Sequence, residues 1–180
     1  MSLNTTPSAE RTHIGIFGRR NAGKSSLINA LTGQSLAIVS DVKGTTTDPV
    51  LKAMELLPLG PVVMIDTPGI DDEGNLGSMR VQKAFQILNK TDLALLVIDS
   101  LSGPSHEDAV TLAHIQKKEI PFLVVLNKSD QIEDLDHAVQ KAADFLQVSK
   151  EKLMTASASS GYHIQELKEA IALLAPKEDD

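Results

Sequence analysis

The feature that most constrains this chain is the segment GRRNAGKS, which runs from Gly18 to Ser25. It matches the pattern G-x-x-x-x-G-K-[ST] at every fixed position. The apolar segment before it is typical of a buried strand. The segment after it is typical of a helix, with Gly33 placed to end that helix. A strand, a glycine-rich loop and a helix in this order predict a binding site for a polyphosphate.

The spacing of this phosphate loop has a chemical reason. Its glycines let successive backbone N–H groups point inward at an anion, and the N-terminus of the helix adds partial positive charge. We expect Lys24 to reach the β- and γ-phosphates, and we expect the Ser25 hydroxyl to ligate Mg²⁺. The further nucleotide contacts predicted in this segment are Asn21, Ala22, Gly23 and Ser26. Such turns also occur for packing alone, but the lysine–serine pair favours nucleotide binding.

The composition fits one domain of 180 residues with a mainly aliphatic core, because 42% of the residues are hydrophobic and 3% are aromatic. A net charge of −7 argues against a broad basic surface for nucleic acid or anionic membrane. The absence of cysteine excludes disulfides, Fe–S ligation and thiol catalysis within these residues. No apolar run approaches the roughly 18–20 residues that cross a bilayer, and residues 1–10 lack a signal-peptide core. We therefore expect a cytoplasmic protein without a membrane partner.

Strand-like and helix-like segments alternate along the chain. We expect a strand at residues 12–17 and a helix at 23–32, followed by a β-hairpin of residues 50–57 and 61–66. The later predicted elements are helix 79–89, strand 93–98, a helix capped at Ser105 and ending near Lys118, strand 121–126, helix 135–146, strand 152–155, and a final helix with Ile164, Leu167, Ile171 and Leu174 on one face before Pro176.

This alternation indicates an α/β fold. We predict a doubly wound, mainly parallel six-stranded sheet with helices on both faces and one antiparallel edge strand. We expect the domain to cover residues 12–175. Residues 1–11 would form a disordered lead-in, and residues 176–180 would form a tail.

A second polar motif, DTPG, directly follows an apolar strand. Its Asp66 can hold Mg²⁺ through water, and Gly69 can offer its N–H to a γ-phosphate. The loop at residues 34–49 has no apolar period, and loops of that length tend to be functional. We choose its Thr46 as a Mg²⁺ ligand and Thr45 as a nucleotide contact. With Lys24, Gly69 and Thr46 are the residues predicted to act on the reacting phosphate.

The segment Asn127-Lys128-Ser129-Asp130 is predicted to recognise a guanine base. Asp130 can accept two hydrogen bonds from the N1–H and N2–H₂ edge of guanine, which adenine cannot supply. Asn127 can hold the backbone of the base loop and reach N7, while the Lys128 stem covers the face of the base. Ser157-Ala158-Ser159 follows the last strand and is the matching backbone contact for the guanine O6.

In this order, the phosphate loop, switch threonine, D-x-x-G, N-K-x-D and S-A-x motifs resemble the translation-factor class of P-loop GTPases. The form GRRNAGKSSLINAL, GTTTDP, DTPG and NKSD is similar to the branch that contains Era, Der and the tRNA-modification GTPase MnmE. Within it, GTTTDPV, MELLPLGPVVMIDTPGIDDEG and KTDLALLVID most resemble the HydF family of [FeFe]-hydrogenase maturation.

The resemblance implies a Mg²⁺-dependent enzyme that hydrolyses GTP to GDP and acts as a switch, with hydrogenase-maturation proteins as partners. In the HydF family, a dimerisation domain and a cysteine-bearing cluster domain follow the GTPase domain. Neither is found in these 180 residues, so we expect an isolated GTPase domain. A dimer is open as an alternative to a monomer.

The resemblance also refines the expected hydrolysis. Ile70 stands where many regulatory GTPases place the glutamine that orients the attacking water, so intrinsic hydrolysis should be slow. Asn21 matches an asparagine that ligates K⁺ in MnmE-like GTPases, and the carbonyls of Ser40 and Val42 would complete that site. K⁺ stimulation is therefore expected. Simple loop capping is the alternative role for Asn21.

Other functions stay open beside the maturation switch. Ile70 favours a binding module that senses GTP with negligible hydrolysis. A further alternative is an RNA- or ribosome-associated Era/Der-like GTPase, or a tRNA-modification MnmE-like GTPase. The absence of a basic module or a second domain in these residues disfavours it, and salt-sensitive RNA binding would favour it. Arg19 and Arg20 lie in the variable part of the phosphate loop, and we expect them to face solvent or a partner domain rather than the phosphates.

Overall fold

A computed structural model describes residues 12–19, 22–32, 50–66 and 86–175. The strands are β1 (Thr12–Gly18), β2 (Val50–Leu56), β3 (Gly60–Asp66), β4 (Leu93–Asp99), β5 (Phe122–Asn127) and β6 (Leu153–Thr155). They form a six-stranded sheet in the order β2-β3-β1-β4-β5-β6. Every neighbouring pair is parallel except the antiparallel β2–β3 hairpin at one edge. The predicted mainly parallel sheet with one antiparallel edge strand is confirmed.

Helices cover both faces of the sheet, as predicted. The α-helices are α1 (Lys24–Thr32), α2 (His106–Lys117), α3 (Leu135–Leu146) and α4 (Ile164–Leu174), with 3₁₀ turns at Ser129–Gln131 and Lys150–Lys152. α1 and α4 pack in one apolar cluster, and α2 and α3 pack in the other. Strand residues alternate between the two clusters, because successive side chains in a strand point to opposite faces. In β4, for example, Leu95 joins the first cluster and Leu96 the second.

Several bounds of the elements differ from the predicted ones by one residue, for local reasons. β1 extends to Gly18, and α1 begins at Lys24 because Gly23 has a φ of 83°. β4 and β5 each end on a polar residue, one position later than predicted. β6 begins one residue later than predicted, because a 3₁₀ turn occupies the residues before it.

The caps and faces of the helices also follow the sequence. Ser105 and Asp108 form a reciprocal capping box at the start of α2. In α4, Ile164, Leu167 and Ile171 are buried on the predicted face. No helix within the described ranges has both the length and the apolarity to cross a bilayer.

Several predictions fall outside the described residues. These are the lead-in at 1–11, the loop at 34–49, the loop that begins at Thr67, and the tail at 176–180. Most of the predicted helix 79–89 also lies outside them, although its residues 86–88 are helical. The division of the chain into lead-in, domain and tail stays a prediction.

Candidate nucleotide-binding site

The carboxyl ends of four strands lie along one edge of the sheet, and three of them are polar residues. β1, β3, β4 and β5 end at Gly18, Asp66, Asp99 and Asn127 respectively. Their register aligns these ends, since Asp66 lies opposite Ile16 and Asp99 lies opposite Asn127. β1 lies between β3 and β4, where successive connections turn to opposite faces and leave a crevice at the carboxyl edge. The sheet thus gathers the phosphate loop, the DTPG acid and the base loop at one place.

The first residue of the phosphate loop, Gly18, contacts the lysine of the same loop. Lys24 is 6% exposed, and its Nζ donates a hydrogen bond of 2.7 Å to the carbonyl oxygen of Gly18. A Cβ at Gly18 would lie 2.4 Å from the carbonyl oxygen of Val97, so the loop passes β4 too closely for a side chain. The charged side chain that the sequence predicted for phosphate binding is therefore held at the loop by backbone.

Two predicted Mg²⁺ ligands fit the ion by their chemistry and their place. Ser25 is exposed in the first turn of α1, so its hydroxyl is accessible to a ligand. Asp66 ends β3 beside β1 and carries the carboxylate oxygens that Mg²⁺ prefers. Among the described residues there is no group of three or more acidic, histidine or cysteine side chains that could cage a metal.

Asn127 joins the phosphate side of the site to the base side. It is 2% exposed, and its Nδ2 donates to the carbonyl oxygen of Ala22 at 2.8 Å. Its Oδ1 accepts a hydrogen bond of 3.1 Å from the backbone N–H of Ala158. One buried amide therefore links the phosphate loop to the S-A-x loop.

Ser129 lies in the N-K-x-D loop and Ser157 lies in the S-A-x loop, and both side chains contact other groups of the protein. The Ser129 hydroxyl donates to the carbonyl oxygen of Leu126 at 2.7 Å and accepts from the N–H of Ala156 at 3.1 Å. Ser157 is fully buried, and its Oγ lies 3.2 Å from Oγ of Ser159. Both loops are thus stabilised by contacts within the protein.

Asp130 differs from these buried residues, because it is exposed at the rim of the same edge. Its carboxylate can meet the edge of a base that enters from solvent. The predicted base-reading acid and its buried supports are brought together by the fold.

The sequence analysis missed one polar residue of the site, Asp99. Its Oδ2 lies 3.1 Å from Nζ of Lys128, and its Oδ1 accepts a hydrogen bond of 2.8 Å from the N–H of Leu101. Asp99 directly follows a run of apolar residues at the end of a strand, as Asp66 does. That pattern was the available signal.

Arg19 is expected to face solvent or a partner domain, and the structure shows which residues surround it on the protein side. Arg19 is half-buried and lines a cavity between the phosphate loop, the end of β4 and the start of α2. The other residues that line this cavity are Ala22, Val97, Ile98, Asp99, Ser102, Gly103 and Asp108. Burial raises the pKa of Asp108, while hydrogen bonds from Ser105 and the charge of Arg19 act in the opposite direction. The phosphate loop therefore contributes a positive charge to this cavity.

The remaining predicted site residues lie outside the described part of the chain. They are Asn21, Ser40, Val42, Thr45, Thr46, Gly69 and Ile70, together with Arg20 of the phosphate loop. Their roles at the γ-phosphate, Mg²⁺ and K⁺ stay predictions.

A six-stranded sheet of this order, with a phosphate loop after β1 and polar loops after β3 and β5, has the fold of a P-loop GTPase. Residues 13–128 match the protein family described as 50S ribosome-binding GTPase. The chain belongs to that family.

Individual relatives agree with this assignment. GTPase Der of Wolinella succinogenes is 38% identical over 179 residues, which are 94% of this chain and 36% of the relative. The tRNA modification GTPase MnmE of Helicobacter acinonychis is 34% identical over 92% of this chain and 36% of its own length. The chain thus spans little more than a third of these relatives.

Among solved structures, Aquifex aeolicus Era bound to GDP·AlF₄⁻ superposes with a TM-score of 0.76 at 28% identity, over 93% of this chain and 57% of Era. The chain is therefore a GTP-binding GTPase domain of the branch that contains Era, Der and MnmE. The narrower prediction, membership of the HydF family, has no counterpart in these names.

Proposed function

We propose that this domain binds guanine nucleotides selectively, hydrolyses GTP to GDP and phosphate, and acts as a switch. The observation that carries the proposal is the buried Asn127 amide, which bonds both the phosphate loop and the S-A-x loop. A guanine nucleotide has a polyphosphate at one end and a base at the other. A residue that fixes both loops sets the distance between the two recognition sites.

Each side of the proposed site has its own chemistry. On the base side, the carboxylate of Asp130 would accept the two donors of the guanine edge, and adenine would leave it unpaired. On the phosphate side, Lys24 and the loop N–H groups would bind the phosphates, with Gly69 and Thr46 proposed to meet the γ-phosphate. When bound by Ser25 and Asp66, Mg²⁺ would neutralise charge that develops on the phosphate oxygens.

Exchange of the base-reading acid is the direct test of this proposal. Asp130→Asn should weaken GTP binding and strengthen XTP binding, since an amide can pair with the N1–C2 edge of xanthine. Because Asp130 is exposed, melting of the nucleotide-free protein should not change. The affinities for GTP, XTP and ATP should be measured by fluorescence titration in the parent and the variant. Full GTP affinity in the variant, or equal competition by ATP in the parent, would disprove guanine recognition by Asp130.

We propose that hydrolysis is slow and depends on K⁺. Ile70 cannot orient water, so a monovalent cation held by Asn21 and by the carbonyls of Ser40 and Val42 would stabilise the developing charge. Loss of one such electrostatic contact typically costs on the order of 10²–10³-fold in rate. Turnover should be compared in KCl and NaCl at equal ionic strength, for the parent and for Asn21→Ala. Equal turnover of the parent in KCl and in NaCl would show that K⁺ takes no part in hydrolysis. Negligible turnover in both salts would favour a GTP-sensing module.

The comparisons favour an RNA-associated role over hydrogenase maturation. Their names include a tRNA-modification GTPase, and one structural neighbour is Era in complex with MgGDPNP and a 16S ribosomal RNA fragment. We therefore rank RNA-associated switching first among the candidate roles of the switch. RNA binding should be measured at two salt concentrations with GTP and with GDP. Binding that is absent in every condition would count against this role.

Hydrogenase maturation stays as the second candidate. One specific observation favours it, namely the similarity of GTTTDPV, MELLPLGPVVMIDTPGIDDEG and KTDLALLVID to HydF. If this role is correct, deleting the gene should abolish [FeFe]-hydrogenase activity in cells. The parent gene should restore that activity, and the gene with Lys24→Ala should not. Unchanged hydrogenase activity after deletion would exclude this candidate.

A further inference from the structure

The base loop is connected to a part of the molecule that contains no GTPase motif, the turn after β4. The backbone N–H of Ser100 donates to the carbonyl oxygen of Asn127 at 3.0 Å. Asp99, which precedes Ser100, forms an ion pair with Lys128, which follows Asn127. The distance between Oδ2 of Asp99 and Nζ of Lys128 is 3.1 Å. The turn after β4 therefore holds the base loop through its backbone and through a side chain.

The two oxygens of Asp99 have separate functions. Oδ1 accepts the N–H of Leu101 and closes the turn, while Oδ2 faces the ammonium group of Lys128. The side chain of Asp99 is 13% exposed and that of Lys128 is 33% exposed. Because the carboxylate is fixed by the turn and largely buried, it offers the lysine a partner at a defined position.

We infer that Asp99 is a positioning residue for guanine recognition, which fixes Lys128 before the nucleotide binds. This inference rests on the proposed guanine-binding function of the same edge. Lys128 has a φ of 65°, so its backbone already holds an uncommon left-handed conformation. The ion pair at the tip then restricts a long side chain whose stem is available to cover the base.

The expected gain is in preorganisation, not in a new contact with the ligand. Ordering a long, rotamer-rich side chain on binding weakens affinity by roughly two- to tenfold. Asp99 removes that cost by ordering Lys128 in the nucleotide-free protein. Its loss should raise the Kd for GDP by a factor in the same range, through faster dissociation.

Asp99→Asn is the most informative variant. The amide oxygen of asparagine can still accept the N–H of Leu101 and keep the turn, while its NH₂ group has no attraction for the ammonium of Lys128. GDP affinity and dissociation rate should be measured for the parent, Asp99→Asn, Lys128→Ala and the double variant. If Asp99 acts through Lys128, Asp99→Asn should weaken binding in the parent and have no further effect in Lys128→Ala.

Asp92→Asn is a matched control. Asp92 accepts the N–H of His13 at 2.8 Å and lies near its ring at 3.6 Å, at the opposite end of the same strands. This variant should leave GDP affinity unchanged. Melting of the nucleotide-free proteins checks that the Asp99→Asn effect is not general destabilisation.

The outcomes separate this inference from the proposed function. If the parent does not bind GDP, or if Asp130→Asn binds it equally well, the proposed function fails. If those tests succeed, two results would overturn the role of Asp99 alone. One is parent-like binding by Asp99→Asn, and the other is a loss of equal size in the presence and absence of Lys128.

Discussion

The two sides of the nucleotide site are built in different ways. On the base side, buried polar side chains such as Asn127 and Ser129 bond to backbone groups of neighbouring loops. On the phosphate side, the described loop consists of closely packed backbone, and its buried lysine bonds to the carbonyl oxygen of Gly18. The base side is thus held by side chains that the ligand does not need to displace. The phosphate side presents a charged group that must reach the ligand.

This difference separates residues that build the site from residues that act in it. A buried side chain that satisfies two backbone groups affects stability and binding together, since its removal leaves unpaired polar groups. A side chain that binds phosphate can be removed with little effect on the fold. The following variants test that division, from the largest expected effect to the smallest.

Lys24→Ala should impair the action on the phosphates and leave the stability of the fold nearly unchanged. We expect GTP turnover to fall by at least about 10²-fold, because a charge aimed at the phosphates is lost. The Tm of the nucleotide-free protein should change little, since the lysine bonds to a carbonyl of the loop and not to the apolar core. Turnover and thermal melting should be measured together. Lys117→Ala, an exposed lysine in the last turn of α2, is the control. Equal collapse of Tm and turnover would make Lys24 structural.

Asn127→Ala should impair both nucleotide binding and the stability of the fold. It leaves the carbonyl of Ala22 and the N–H of Ala158 without their partner, at about 1–3 kcal/mol for each buried group. We expect a lower free energy of unfolding in urea and a loss of GDP affinity. Asn89→Ala, at an exposed asparagine, should change neither quantity. Parent-like stability with impaired binding would contradict a role in building the site.

Gly23→Ala tests the contact between the two sides. A Cβ at Gly23 would lie 2.5 Å from Nδ2 of Asn127, whereas a Cβ at Gly161 would meet nothing within 4 Å. The two glycines have nearly equal φ values of 83° and 82°, so Gly161→Ala measures the backbone strain alone. That strain is roughly 1–2 kcal/mol.

The extra destabilisation of Gly23→Ala over Gly161→Ala then measures the steric clash with Asn127, and urea unfolding of both variants gives this difference. GDP affinity should fall in Gly23→Ala only. Equal free energies of unfolding in the two variants would mean that Asn127 moves aside without cost.

The smallest effect concerns the cavity beside the phosphate loop. Burial raises the pKa of Asp108, so the folded protein holds this proton more tightly than the unfolded chain. Its contribution to the free energy of unfolding is therefore fully present below the ordinary Asp pKa of about 4. It should be lost as the pH rises from there through the raised pKa. In Asp108→Asn, the free energy of unfolding should not show this decline with rising pH. Urea unfolding of the parent and the variant over this pH range checks the prediction.

Glu107 gives the matching contrast. Hydrogen bonds lower its pKa, so its stabilisation should be lost as the pH falls. Glu107→Gln should therefore remove a loss of unfolding free energy that occurs as the pH falls. It should leave the decline at rising pH, which is assigned to Asp108, unchanged. If the unfolding free energy changed with pH in the same way in both variants, the opposite pKa shifts of Asp108 and Glu107 would be contradicted.

Much of the fold could be predicted because its signals are local. Apolar runs located β4 and β5, and the residues from Ser105 to Asp108 carried the signature of a capping box. The phosphate and base loops were located by motifs whose spacing follows from the ligand. These features depend on neighbours within a few positions of the chain.

The features that could not be predicted depend on contacts between distant elements. Nothing in the sequence around Arg19 shows that α2 would place Asp108 beside the same cavity. The pairing of Asp99 with Lys128 follows from the register of β4 and β5, which places Asp99 opposite Asn127. A strand can be recognised from its own residues, but its register is set by its neighbours.

The bond between Ala22 and Asn127 spans 105 positions of the chain, and this has a consequence for synthesis. A chain grows from its N-terminus at about 5–20 residues per second, so the two residues emerge roughly 5–20 s apart. The phosphate loop is made early, but its partner on the base side is made only after β1 to β4 have been synthesised. A nascent chain that binds GDP through both loops has therefore already paired β1 with β4 and β4 with β5, so GDP binding would report assembly of this part of the sheet.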